Sequence, residues 1–165
     1  MKQKKNAILL IAGGGGHLAQ MKRLSNLLDL NNVDLEVILL TEKDVSVSIP
    51  DINNIFYFEP LRDKYSKWKS IILPPLNLIK HLFLSLELFN KYNIKLCIST
   101  GPGIAIIPTL VGKIKRKKII FIETWSKFYN LTYTARIISK YADVFYVQNK
   151  ELLVHSKKAI YSGRL

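Results

Sequence analysis

The chain has 165 residues, a hydrophobic content of 48%, one cysteine and a formal net charge of +13. This length corresponds to one domain, residues 1–165, with a buried core, and the hydrophobic content excludes a disordered chain. The lone Cys97 excludes a disulfide within the chain, as expected in a reducing compartment. The positive charge favours an anionic partner: nucleic acid, a membrane surface, or an acidic protein or substrate.

Six short apolar runs are predicted to form β-strands. Most are nearly continuous in aliphatic and aromatic residues, as expected of parallel strands that are covered on both faces. Helices are predicted between several of them, at residues 18–30, 104–113 and 131–141. This alternation predicts an α/β fold, a Rossmann-like doubly wound parallel sheet with right-handed crossovers. The predicted strands are residues 6–12, 35–41, 55–58, 95–100, 118–123 and 143–148.

Four consecutive glycines followed by His17 connect the first predicted strand to the first predicted helix. Glycines let a backbone approach a ligand closely, and a helix N-terminus offers free N–H groups and the positive end of its dipole. His17 adds a titratable group, whereas Leu18 at the third glycine position excludes the dinucleotide fingerprint, and no Gly-Lys-Ser/Thr follows. The pattern predicts a phosphate-bearing ligand, with a tight turn as the alternative. The predicted contacts are Gly13, Gly14, Gly15 and Gly16.

Two further predicted strands end in turns with polar or glycine residues. Thr100, Gly101 and Gly103 precede a predicted helix, where N–H groups can bind an anion or simply form the turn into that helix. Glu123 ends another strand, either as a functional carboxylate or as a cap for the next segment. Because the carboxyl ends of parallel strands lie at one edge of a sheet, we expect all three loops to converge on one cleft.

Residues 68–89 are more apolar than an ordinary surface helix, and Pro74 and Pro75 predict a break or restart of the helix there. No charge-free run approaches the roughly 20 apolar residues of a membrane-spanning helix, but lysines lie in and beside the segment. This pattern favours a segment at the membrane interface or against a partner chain, with a helix packed on the sheet as the alternative. The predicted interface residues are Trp68, Ile72, Leu76, Lys80 and Phe83.

Signatures of several other functions are absent from the sequence. His81 and His155 have no companions at metal-ligand spacing, so no metal site is predicted, and no Ser-His-Asp, Cys-His or paired-carboxylate arrangement is found. No RRM, KH or zinc-finger signature supports a nucleic-acid partner, which charge alone would suggest. The basic run at residues 112–118 predicts a solvated turn, or contact with phosphate or lipid headgroups.

Together, the motifs at residues 14–17, 99–103, 123–125, 142–148 and 161–165 resemble, in order and spacing, those of a known family. The chain resembles the membrane-associated subunit of the split GlcNAc transferase that acts on dolichol pyrophosphate. Bacterial relatives of that subunit, of the PssD type, serve capsule and exopolysaccharide synthesis. The chain is also similar to the N-terminal half of the MurG enzyme of peptidoglycan synthesis.

This resemblance implies one half of a GT-B glycosyltransferase, of hexosyltransferase or N-acetylglucosaminyltransferase type, whose two Rossmann-like halves are separate chains. This half would bind a polyprenyl-pyrophosphate-linked acceptor at the cytoplasmic face of the membrane, as a peripheral or monotopic protein. It would recruit a small donor-binding subunit that holds most of the UDP-sugar, with no further cofactor and no nucleic acid. A non-catalytic scaffold that only tethers and activates its partner is the alternative.

The resemblance also implies roles for individual residues. His17 and Glu123 would be catalytic. The glycine loop with His17 would face the acceptor pyrophosphate and the transferred sugar, with His17 against a substrate phosphate or the acceptor hydroxyl. Glu123 would lie near that hydroxyl or orient the loop. The eukaryotic subunit usually has an acidic residue shortly after the loop histidine, where this chain has Gln20. Gly101 and Gly103 would line the same cleft, and Tyr161, Gly163 and Leu165 would dock the partner chain.

Overall fold

The computed structural model describes residues 4–28, 30, 34–43, 45–47, 49, 52, 54–60 and 69–165, the last range with side chains from Asn77 onward. The strands are β1 (Asn6–Ile11), β2 (Glu36–Glu42), β3 (Asn54–Phe58), β4 (Asn93–Ser99), β5 (Lys118–Ile122), β6 (Val144–Val147) and β7 (Ala159–Tyr161). The helices are α1 (Gly16–Leu27), α2 (Lys69–Lys91), α3 (Ile106–Ile114) and α4 (Tyr133–Ile138), with short 3-10 helices at Gly103–Ala105 and Lys150–His155.

Within the described residues, these strands form one parallel sheet in the order β3-β2-β1-β4-β5-β6-β7. From β1 the chain first builds outward through β2 and β3, and then crosses to β4 on the other side of β1. The strand order therefore reverses between β1 and β4, which is where ligands bind at the carboxyl ends of doubly wound sheets. The predicted α/β, Rossmann-like fold is confirmed.

Helices cover both faces of the sheet, which explains the continuous apolar strands. On one face, Leu9 and Ile11 of β1 pack in a core with residues of α2, α3 and α4. On the other face, Leu10 of β1 and Leu39 of β2 pack with Met21 of α1. Because successive strand residues point to opposite faces, each of these residues is buried whichever way it points.

Some elements differ from the sequence prediction. Strand β7 and the 3-10 helix before it were not predicted, because a three-residue edge strand is too short to show a periodic pattern. Helix α2 continues through Pro74 and Pro75, so the predicted break was wrong. Helix α1 begins at Gly16, inside the glycine loop, two residues before the predicted start.

Candidate functional site

The loops after β1, β4 and β5 meet at the carboxyl edge of the sheet, as the sequence predicted. Gly13 lies against the loop after β4, since a Cβ at residue 13 would stand 2.4 Å from Pro102 Cγ. Gly101 has a φ of +89°, and a Cβ there would stand 2.8 Å from Cε1 of the His17 ring. Close backbone approach, rather than ligand binding alone, therefore requires glycine at both positions.

Hydrogen bonds with Thr100 orient His17 at the point where the strand order reverses between β1 and β4. His17 Nδ1 lies 2.6 Å from the Thr100 carbonyl oxygen, and Thr100 Oγ1 donates to the His17 carbonyl oxygen at 2.9 Å. A carbonyl oxygen only accepts, so Nδ1 carries the hydrogen and the lone pair of the neutral ring is on Nε2. Within the described part of the chain, Nε2 makes no hydrogen bond. This nitrogen is therefore the one that can contact a substrate.

The N-terminus of α1 is open beside this ring. Gly15 precedes the first turn with a φ of +65°, and among the described residues no side chain caps the helix. Gly15 and Gly16 are exposed, and a Cβ at either would meet no atom within 4 Å. The first-turn N–H groups of a 12-residue helix thus lie free at the positive end of its dipole, which is an anion-binding arrangement.

The carboxylate of Glu42 lies on the other side of the glycine loop. Glu42 is the last residue of β2, and its Oε2 lies 3.5 Å from the Gly14 nitrogen, a long hydrogen bond. The surroundings of the glycine loop therefore differ along its length. Gly14 lies next to a carboxylate, whereas Gly15 and Gly16 face open space. Glu42 was not predicted as a site residue, because the predicted strand ended at Thr41, one residue early. The carboxyl end of a strand beside β1 is the signal that could have identified it.

Glu123 is buried, and its carboxylate accepts hydrogen bonds from the loop that follows β5. Oε1 accepts from the Thr124 N–H at 2.8 Å, and Oε2 accepts from the Thr132 N–H at 2.7 Å. The Thr132 hydroxyl also contacts the carboxylate, and Thr132 in turn caps α4 through Ala135. Burial raises the pKa of Glu123, although these hydrogen bonds and the nearby charge of His17 oppose the rise. The structure shows the capping arrangement; a catalytic role for Glu123 stays a prediction.

Residues 8–165 match the family described as "Oligosaccharide biosynthesis protein Alg14 like". The chain belongs to this Alg14-like family. It is 25% identical, over 94% of its length and 81% of the relative, to the UDP-N-acetylglucosamine transferase subunit alg14 of Schizosaccharomyces pombe. It is also 25% identical, over 96% of its length and 82% of the relative, to the UDP-N-acetylglucosamine transferase subunit ALG14 of Homo sapiens.

Solved structures share the fold of this Alg14-like chain. MurG of Acinetobacter baumannii superposes with a TM-score of 0.68 at 14% identity, over 98% of this chain and 44% of MurG. UDP-GlcNAc 2-epimerase of Methanocaldococcus jannaschii superposes with a TM-score of 0.63 at 10% identity, over 96% of this chain and 45% of the epimerase. The chain thus spans less than half the length of each. The resemblance stated from the sequence motifs is confirmed.

The tail of this Alg14-like chain folds back onto the same edge of the sheet. The Leu165 N–H donates to Gln148 Oε1 at 2.8 Å, and Gln148 Nε2 donates to the Glu123 carbonyl oxygen at 2.8 Å. Arg23 of α1 donates to the Leu165 carbonyl oxygen at 2.9 Å and lies 4.7 Å from the centre of the Trp125 ring. Leu165 is therefore linked, through Gln148 and Arg23, to the loop that follows β5. This contact was not predicted from the sequence.

Tyr161, which is also predicted to dock a partner, is more accessible than Leu165. Tyr161 is 42% exposed, and the Lys150 ammonium lies 5.4 Å from its ring centre. Gly163 has a φ of +76°, and a Cβ there would meet no atom within 4 Å. Tyr161 can therefore contact a second chain directly, and Gly163 lets the tail turn back.

The residues predicted at a membrane interface lie on α2 or just before it. Trp68 and the side chains of Ile72 and Leu76 are outside the described residues. Lys80 is exposed and Phe83 is 67% exposed, whereas Leu88 and Phe89 are buried against the sheet. The described part of α2 thus combines a core-packed face with an exposed apolar one. Among the described residues, no helix is both long and apolar enough to cross a bilayer.

Proposed function

We propose that this chain is the membrane-associated, acceptor-binding subunit of a heteromeric UDP-sugar glycosyltransferase. It binds a polyprenyl-pyrophosphate-linked acceptor and recruits a separate donor-binding catalytic subunit in oligosaccharide synthesis, of capsule or exopolysaccharide type. The relatives named UDP-N-acetylglucosamine transferase subunits support this function and make GlcNAc the first sugar to test. The net charge of +13 supports attraction to both a pyrophosphate and an anionic membrane surface.

The observation that carries the proposal is the open α1 N-terminus next to the free Nε2 of His17. Diphosphate oxygens accept hydrogen bonds, and the free N–H groups of the first helical turn donate them. Each such charge-assisted bond contributes about 1.5 to 3 kcal/mol. Because Gly15 and Gly16 carry no side chains, a diphosphate can reach these groups without a steric barrier.

His17 is proposed to act on the acceptor hydroxyl. As that hydroxyl oxygen bonds to C1 of the donor sugar, the bond from C1 to the UDP oxygen breaks and UDP leaves with the electron pair. The hydroxyl proton then passes to Nε2, which holds the lone pair because Nδ1 donates to Thr100. When protonated, the same nitrogen can donate to a phosphate oxygen instead.

The donor half is proposed to be a second polypeptide. The relatives, of which this chain covers 81% and 82%, are themselves named as transferase subunits. Its partner surface is proposed to include Tyr161 and the tail, close to the loop that carries Trp125. Activity is therefore expected only in the two-chain complex.

The test is transfer by the reconstituted two-chain enzyme, with UDP-GlcNAc and a prenyl-diphosphate-linked sugar acceptor in anionic vesicles. We expect turnover by the wild-type complex and loss of turnover for His17→Ala with the complex intact. His155→Ala, which changes an exposed histidine elsewhere on the chain, is the control and should remain active. Full activity of His17→Ala in an intact complex would remove His17 from the mechanism. Loss of turnover only for changes in the tail or in residues 68–89 would leave the non-catalytic scaffold as the function.

A further inference from the structure

A groove of about 480 Å³ lies between the end of β3 and helix α2. Tyr57 of β3 and the α2 residues Phe83 and Leu84 form its walls, and Lys43, Glu59 and Lys80 lie at its rim. The volume falls within the range of about 300 to 1,000 Å³ that is usual for small-molecule sites. None of the residues proposed to bind the diphosphate or to act on the acceptor hydroxyl lines this groove.

The walls and the floor of the groove are apolar or neutral. Tyr57 is 50% exposed and Leu84 is 42% exposed, so large apolar surfaces here face solvent. His81 lies at the floor, fully buried, with its ring 4.6 Å from the Phe58 ring and Nε2 donating to the Glu59 carbonyl oxygen at 2.8 Å. Burial lowers the pKa of His81, so its ring is neutral at neutral pH. The groove therefore suits an uncharged, flexible chain.

The groove lies near the glycine loop at the carboxyl edge of the sheet. Glu42, which contacts Gly14, is followed directly by Lys43 at the groove rim. Glu42 also pairs in register with Phe58, the residue before Glu59. The end of β2 therefore lies between the glycine loop and the groove.

The rim charges suit the same ligand. Lys43 Nζ pairs with Glu59 Oε1 at 3.0 Å, which neutralises that side of the rim, and Lys80 is exposed on the other. Lys80 adds positive potential near the mouth, where the phosphate end of the chain would pass. The arrangement is an apolar groove with an exposed lysine at its rim, near an anion-binding loop.

We propose that this groove binds the isoprenoid segment next to the diphosphate of the lipid-linked acceptor. The proposal rests on the proposed function, in which the diphosphate itself binds at the α1 N-terminus. The groove holds the first isoprene units and so draws the acceptor out of the bilayer toward His17. Leu84 and Tyr57 are then specificity determinants for a branched, unsaturated chain.

The direct test uses the two-chain complex and a benzophenone-bearing analogue of farnesyl diphosphate, with crosslinked residues mapped by mass spectrometry. We expect crosslinks on Tyr57, Phe83 or Leu84 that excess farnesyl diphosphate removes and excess inorganic diphosphate reduces only in part. Crosslinks confined to other surfaces would overturn the proposal. This measurement needs no turnover, so it decides the groove even if the proposed function fails.

The functional test compares Leu84→Trp, which fills the groove, with Leu82→Trp, a matched change at an exposed leucine of α2 outside the groove lining. Leu84→Trp should raise KM about tenfold for a long-chain acceptor, which corresponds to the loss of about two buried methylenes. A water-soluble short-chain acceptor that does not reach the groove should show no change. Equal effects of the two variants on the long-chain acceptor would overturn the groove and leave the proposed function intact.

Discussion

His17 and Thr100 are joined by hydrogen bonds that run in opposite directions, from the ring Nδ1 to the Thr100 carbonyl oxygen at 2.6 Å and from Thr100 Oγ1 to the His17 carbonyl oxygen at 2.9 Å. The two residues are 83 positions apart in sequence. Their pairing joins the start of α1 to the end of β4 at the point where the strand order reverses. It fixes both the position of the ring and the nitrogen that is free to react.

This geometry predicts different outcomes for two substitutions of His17. His17→Asn places an amide N–H near the position of Nδ1, so the bond to Thr100 survives while the group at Nε2 is lost. We expect a loss of about 10² to 10⁴ in kcat for the two-chain enzyme, with little change in melting temperature. His17→Gln, which restores a polar group near Nε2 but not a base, should recover substrate affinity without kcat. Recovery of kcat by His17→Gln would contradict base catalysis and favour phosphate binding.

The close contact of Gly101 with the His17 ring predicts that Gly101→Ala damages activity beyond its effect on the backbone. The positive φ of +89° alone costs about 1 to 3 kcal/mol of folding free energy for alanine. The added methyl group would also displace the ring, and a shift of about 1 Å can cost about 10²-fold in turnover. Gly163→Ala is the matched control for the backbone cost in unfolding free energy, because its φ is +76° and a Cβ there has open space. Wild-type turnover by Gly101→Ala in an intact two-chain complex would rule out the steric explanation.

The buried carboxyl of Glu123 predicts a pH dependence of stability. Burial raises its pKa above that of the unfolded chain, so the folded state binds the proton more tightly. The stability contributed by this proton is complete below the unfolded-state pKa and is lost as the pH rises through the folded-state pKa. Urea unfolding at a series of pH values should show this decline in the wild type, and Glu123→Gln should lack it.

Asp143 predicts the opposite pH dependence of stability, because its pKa is lowered whereas that of Glu123 is raised. Its burial opposes the shift, but hydrogen bonds from Lys113 and the Ile119 N–H, together with the charges of Lys113 and Lys118, lower its pKa. Its contribution to stability is therefore present above the unfolded-state pKa and is lost as the pH falls through the folded-state pKa. Asp143→Asn should therefore remove the part of the fall in unfolding free energy at low pH that comes from protonation of Asp143. If the unfolding free energy of Glu123→Gln equals that of the wild type at every pH, Glu123 is not the group that causes the decline in stability as the pH rises.

The tail predicts a separation between folding and partner binding. Gln148→Leu leaves the Leu165 N–H and the Glu123 carbonyl oxygen without their partner, which should cost about 1 to 3 kcal/mol of unfolding free energy. Tyr161→Ala removes an exposed ring and should leave stability unchanged, while it weakens binding of the donor-binding subunit by about tenfold. Chemical unfolding and titration calorimetry measure the two quantities. An unchanged Kd for Tyr161→Ala would remove Tyr161 from the partner surface.

The exposed apolar face of α2 predicts binding to anionic membranes. Phe83→Glu places a charge at an exposed aromatic position and should reduce sedimentation with phosphatidylglycerol vesicles by about tenfold or more. Leu27→Glu makes the same change at a leucine of α1 that is 73% exposed on the opposite face of the sheet. We expect Leu27→Glu to bind vesicles as the wild type does. Equal binding by all three proteins would place the membrane contact elsewhere.

Much of the fold is predictable because it depends on near neighbours in sequence. The six predicted strands all form, with ends that differ by at most two residues, since each is an apolar run bounded by polar residues or glycine. The convergence of the loops after β1, β4 and β5 follows from parallel strands alone. The three residues of β7 carry no such pattern, and their pairing with β6 depends on a sheet edge that only the folded chain provides.

The sequence by itself determined the parallel sheet, the glycine loop at the start of α1 and the presence of a histidine beside it, because periodicity and glycine content are local properties. Only the tertiary structure decided how these residues are used. Thr100 accepts a hydrogen bond from His17 Nδ1 and so leaves Nε2 free, and Thr132 donates to the Glu123 carboxylate. Gln148 accepts a hydrogen bond from the Leu165 N–H. Each of these hydrogen bonds joins atoms on different elements, so their directions are fixed by packing and by the low polarity of the buried edge, which no local pattern encodes.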